Sequence, residues 1–159
     1  MISVKVIGVE QFVTRLQNLQ PKVQESLRLA IGQLGIELQT YVKANKLNGQ
    51  VLKNQTHTLS RSINMKVKAD AFSVVASVGT NIRYAAIHEF GGQTKPHLIQ
   101  AKNAAKLKFM GGGGWVFRKE VNHPGSRMPE RSFLRSALKD MESQIQTGLK
   151  KAVDVAVKK

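Results

Sequence analysis

The chain has 159 residues, enough for one domain with one core. Its 42 % apolar and 22 % charged residues are ordinary for a soluble globular protein. No run of about 18 apolar residues occurs, so no membrane span is expected, and the absence of cysteine excludes disulfide and thiolate chemistry and fits a reducing cytosol.

The charge is uneven. Lys and Arg total 25 against 10 Asp and Glu, a formal net charge of +15. Thirteen basic residues and two acids, Asp70 and Glu89, lie between residues 38 and 119, so that segment carries +11. Such a field attracts polyanions and repels copies of itself. It reads either as a solvated lysine surface or as proximity to nucleic acid or an acidic partner.

The N-terminal MISVKVIGVEQF lacks the basic and apolar regions of a secretory signal. Ile2, Val4 and Val6 alternate with polar residues and predict a short strand ending at Gly8. Val9, Phe12, Val13, Leu16 and Leu19 take helical spacing. Pro21 then suits the first turn of a second helix, which runs to about Ala44. Its stripe is Val23, Leu27, Ala30, Ile31, Leu34, Leu38 and Val42, and Gly32 and Gly35 inside it predict close packing.

Residues 45–58 are polar and without period, and predict a mobile loop. LSRSI (59–63) predicts a helical turn. Residues 63–69 and 72–79 predict an antiparallel hairpin turning at Asp70-Ala71, with Ile63, Met65, Val67 and Ala69 on the apolar face.

YAAIHEFGG (84–92) predicts a short helix ended by Gly91 or Gly92 in a left-handed conformation. Residues 97–109 and 115–121 predict further strands, and Gly111–Gly114 a mobile hairpin tip near 110–114. HPGSRMPER (123–131) is turn-rich. A last helix runs from about Arg131 or Ser132 towards Val157, with Leu134, Leu138, Met141, Ile145, Leu149 and Ala152 as a narrow seam. The order predicts an α+β fold: a small antiparallel β-sheet packed against a long helix of the N-terminal half and a long C-terminal helix, in a single domain over 1–159.

The chemistry-bearing residues argue against an enzyme. His88-Glu89 is not HExxH, because residue 92 is Gly, and His57, His97 and His123 have no metal-ligand spacing. The few acids do not cluster as a two-metal site requires. The glycine run has no following Lys-Ser/Thr, so it is no phosphate loop. No catalytic, cofactor or metal residue is assigned. Lys102, Lys106 and Lys108 with Phe109 and Trp115 offer a basic-aromatic surface, but no sequence-reading motif for nucleic acid is present.

Taken together and in order, TLSRSI, YAAIHEFGG, AKNAAKLKF…WVFRKEV, HPGSRMPERSFLRSAL and the final helix resemble the tail-completion or neck proteins of tailed bacteriophages. These are small families of head–tail joining and virion morphogenesis proteins, related in role to the minor tail protein Z of phage lambda. The matching residues are Leu59, Ser62 and Ile63, then Tyr84, Ala85, His88, Glu89, Phe90, Gly91 and Gly92, then Pro129, Arg131, Phe133, Leu134 and Ala137. His57-Thr58 stands where family members often have Thr-Gly, so the preceding loop departs from the pattern.

The resemblance implies a structural protein of the virion neck, assembled in the bacterial cytoplasm. It would form a ring around the DNA channel and join tail to filled head. The implied partners are a head-side connector, a tail terminator or tail tube, and further copies of the chain. No cofactor, metal or membrane is implied. Lys66, Lys68, Lys102, Lys106, Lys108, Arg118 and Lys119 are the candidates for contact with DNA or acidic partners. Tyr84, Ile87 and Phe90 would seat the YAAIHEFGG helix on the core, and Glu89 would pair with Arg131. Two alternatives stay open: a nonspecific DNA-binding or packaging accessory protein, and a small hydrolase or nuclease using His88 or Glu89.

Overall fold

The computed structural model describes residues 9–53, 55–70 and 73–158, with backbone alone for 9–18 and 20. The expected strand at Ile2–Val6 lies outside the described residues. The chain is α+β, and it divides into two compact units: residues through Ala85 with those from Ser132 onward, and Ala86–Arg131.

In the first unit, α1 (Val9–Tyr41) is one helix of 33 residues with Pro21 inside it. The sequence predicted two helices meeting at Pro21. Proline removes one i→i−4 hydrogen bond and disfavours a helix interior by about 3 kcal/mol. Here helical spacing on both sides carries the helix through. A π-helical turn, Val42–Lys46, extends it and buries Val42 and Lys46.

The 45–58 segment follows. Leu47 is 1 % exposed, and the Val51 and Leu52 amides both donate to the Lys46 carbonyl. The segment thus contributes core and is tied back to the helix end. α2 (Thr58–Ser62) is the predicted helical turn. β1 (Asn64–Ala69) and β2 (Val74–Gly79) form the predicted antiparallel hairpin, from Asn64↔Gly79 to Ala69↔Val74. At its turn the Asp70 carboxylate accepts from the Ser73 amide at 2.7 Å and hydroxyl at 2.8 Å. Met65 on the predicted apolar face is half-buried, whereas Val67 is 40 % exposed, so the core covers only one end of the hairpin.

Gly35 is where α1 meets this hairpin. A Cβ there would lie 3.1 Å from Ala76 Cβ and 3.2 Å from Met65 Cγ. Gly32, also predicted to mark close packing, faces open space.

The predicted final helix is two: α4 (Leu134–Asp140) and α5 (Glu142–Lys158). Met141, 4 % exposed, stands between them, and its carbonyl still accepts from the Ile145 amide at 2.9 Å. α5 packs along α1. Leu34 lies 3.3 Å from where a Cβ on Gly148 would be, Ser26 Oγ donates to the Ala152 carbonyl at 2.8 Å, and Gln144 donates to Glu37 at 2.8 Å. The seam is therefore small-residue and partly polar, and Leu138 within it stays 52 % exposed. The core of the unit is Val42, Leu47, Ile63, Ala85, Phe133 and Ala137.

The second unit contains most of α3 (Ala85–Phe90) and a long two-stranded ribbon. β3 (Gly92–Gln93) pairs with β8 (Arg127–Met128), and β4 (His97–Gln100) with β7 (Glu120–His123). One register holds from Gly92↔Met128 to Gln100↔Glu120, and the Ala101 amide continues it to the Lys119 carbonyl. The tip, β5 (Leu107–Gly111) with β6 (Gly114–Arg118), begins a new register at Leu107↔Arg118. Residues 102–106 have no counterpart on the other strand and loop out. Gly111↔Gly114 closes the tip around Gly112 and Gly113, so the glycine run is the predicted hairpin turn. Among the described residues, no helix is long and apolar enough to cross a membrane.

Candidate interaction surface

The motif residues divide sharply between core and surface. In LSRSI, Ile63 is 0 % exposed, and its carbonyl accepts from Gln39 at 2.7 Å. Ser62 Oγ donates to the Leu59 carbonyl at 2.7 Å and lies 2.6 Å from Thr80 Oγ1. This places the small helix α2 against the end of β2. Phe133 and Ala137 are both 0 % exposed, with Leu134 packed partly against the same core. Fully burying a phenylalanine or isoleucine side chain stabilises by about 1.5–3 kcal/mol, so these positions serve folding.

Within YAAIHEFGG the expectation needs correction. Tyr84 and Phe90 are exposed, at 45 % and 64 %. The buried residues are Ala85 and Glu89, one helical turn apart. A short helix with a single buried edge seats its small residue, and the large rings remain outside. Ile87 is half-buried, with its Cγ1 3.8 Å from where a Cβ on Gly92 would be.

Gly91 ends α3 at φ +68°, the left-handed exit that the sequence predicted. A Cβ there would meet the Glu130 amide nitrogen at 2.8 Å and the Met128 carbonyl at 3.1 Å. Gly92 follows at φ +140°. The Arg131 amide donates to the His88 carbonyl at 2.7 Å. Main chain thus ties YAAIHEFGG to the segment holding Pro129 and Arg131, while the Arg131 side chain is exposed.

The candidate basic contacts fall into two groups in different units. Lys66 and Lys68 project from β1, opposite Ser77 and Val75. Lys102 and Lys106 sit in the ribbon's extra loop, Lys108 on β5, Arg118 at the end of β6, and Lys119 just after it. All seven are exposed. One residue of the basic middle is not: Lys46 is 7 % exposed, and its Nζ lies 2.6 Å from Asp140 Oδ2. Tyr41 donates to the same oxygen at 2.9 Å. These two bonds, Lys46 first, hold the Asp140 carboxyl below its usual range, and the bond to Asp140 raises the Tyr41 hydroxyl.

Sequence spacing did not bring His97 and His123 together, but the ribbon register does. They pair across β4 and β7 with rings stacked 5.1 Å apart. His123 Nδ1 accepts from the Gly125 amide at 3.0 Å, and His97 Nδ1 lies 3.0 Å from the Lys95 carbonyl. Among the described residues, no group of three or more His, Asp or Glu side chains is placed to hold a metal ion.

The motif residues thus form a buried set, Ile63, Ala85, Glu89, Phe133 and Ala137, and an exposed set, Tyr84, Phe90 and Arg131. The chain belongs to the phage virion morphogenesis family, whose model matches residues 36–154. The match begins within α1 and takes in the core, the ribbon and most of α5. No curated protein and no solved structure matches the chain significantly.

Proposed function

We propose that the chain is a structural protein of the phage neck. It completes the tail and joins it to the DNA-filled head, as a subunit of a ring around the DNA channel, in a role like that of the minor tail protein Z of phage lambda. Its partners are the head-side connector, the tail terminator or tube, and further copies of itself. Assembly takes place in the cytoplasm of the bacterial host. Membership of the virion morphogenesis family over residues 36–154 carries this reading. The burial of Ile63, Ala85, Phe133 and Ala137 supports it, because the motif positions maintain a scaffold. Exposed lysines on β1 and the ribbon give that scaffold charged surface for DNA or acidic neighbours.

Electron microscopy of particles made with the gene inactivated tests the reading. The expected result is DNA-filled heads beside separate tails. Normal, infectious virions would contradict it.

The exposed Lys66 and Lys68 favour one second reading, a nonspecific DNA-binding or packaging accessory protein. It requires duplex binding by the isolated chain that collapses with salt.

A further inference from the structure

The ribbon tip displays apolar side chains on one face. β5 and β6 pair with each other and, among the described residues, with no third strand. Alternation puts Lys108, Met110, Trp115 and Phe117 on one face of this hairpin, because cross-strand partners share a face. Met110, Trp115 and Phe117 are each more than half exposed. Lys108 Nζ lies 4.3 Å from the Trp115 ring centroid, so a cation caps the aromatic surface. Between Gly92 and Met128 the chain carries seven Lys and Arg residues and one acid, Glu120.

A two-stranded ribbon is marginal in water by itself. One that holds a tryptophan, a phenylalanine and a methionine outward has the composition of an interface centre. We propose that this face docks on a different virion protein, on a patch with an apolar centre and an acidic rim.

Charge decides against the other occupants. A second copy in a ring would offer a different face, but that face belongs to a chain of formal net charge +15, a poor source of an acidic rim. Duplex DNA would satisfy the lysines, but it could cover Met110 and Phe117 only by unstacking base steps to admit them. An acidic rim neutralises the lysines while an apolar centre removes the three side chains from water. The proposal rests on the virion reading above and names the chemistry of one partner.

The test is photo-crosslinking in particles. Trp115→p-benzoylphenylalanine is introduced during phage production, with the same replacement at Val75, exposed on β2, as a control. The particles are irradiated and adducts identified by mass spectrometry. The proposal expects position 115 to join a virion protein other than this chain, at a segment richer in Asp and Glu than in Lys and Arg. Adding Lys108→Glu should lower that yield about tenfold, the scale of one lost charge contact. Circular dichroism of the purified variants confirms that the fold is kept. Adducts to a second copy or to DNA overturn the proposal, as does their absence from particles that contain the chain; in each case the virion reading stands. Particles that lack the chain overturn both.

Discussion

The amide of Arg131 donates to the carbonyl of His88 at 2.7 Å, and this bond joins the two most recognisable segments of the chain. It requires the backbone to reverse at Gly91. That residue has φ +68° and stands against the main chain of Glu130. Gly91→Ala should therefore destabilise the segment by about 2 kcal/mol, combining left-handed strain with a clash. Gly113→Ala, at the open ribbon tip, should stay within about 0.5 kcal/mol. Hydrogen exchange at the Arg131 amide checks both, because only the first substitution should accelerate it.

Phe133 sits at the centre of the core with no exposed surface. Phe133→Ala should lower stability by about 3–5 kcal/mol, and Ile63→Val by about 1 kcal/mol. Urea unfolding of the two variants measures the difference. An unchanged midpoint for Phe133→Ala would refute the assigned core.

Asp140 provides a pH dependence of known sign. Its carboxyl titrates lower in the folded chain because Lys46 and Tyr41 bond to it. The stability it contributes is present above the unfolded carboxyl range and is lost as pH falls through the lowered folded value. Thermal melts should thus drop on acidification, and Asp140→Asn should flatten that part of the profile. The pair is also asymmetric. Asp140→Ala strands the buried Lys46 ammonium, whereas Lys46→Met leaves an exposed carboxylate in water. The first substitution should be the more destabilising at pH 7.

The basic side chains make separable predictions. If Lys66 and Lys68 meet DNA, Lys66→Gln with Lys68→Gln should weaken duplex binding regardless of sequence. It should also reduce the salt slope by about 2. Lys46→Gln should leave that slope unchanged, since Lys46 is occupied by Asp140. Fluorescence anisotropy over a salt series distinguishes the two.

Much of this fold was legible in the sequence. Apolar steps of three and four residues marked α1 and the C-terminal helices, and alternation marked β1. A long apolar stripe has few other ways to be buried. Pro21 misled because a local signal for a helix start competes with periodicity that continues past it. The break at Met141 left no trace, since a buried methionine fits the helical stripe equally well. The ribbon's change of register was hidden in residues 102–106, whose composition gives no pairing signal. Lys46 was counted with the surface charge because its burial depends on Asp140, 94 positions away in the chain. In YAAIHEFGG, size was a poor guide: Ala85 and Glu89 are buried, and the Tyr84 and Phe90 rings are exposed.

The joining role is tested most directly by complementation. Heads and tails are collected from an infection lacking this gene, and the purified chain is added. Joined particles and plaque-forming titre should both rise with added protein, while the destabilised Phe133→Ala variant fails to restore them. Heads and tails that join equally well without the chain, or that stay apart however much is added, would contradict the joining role.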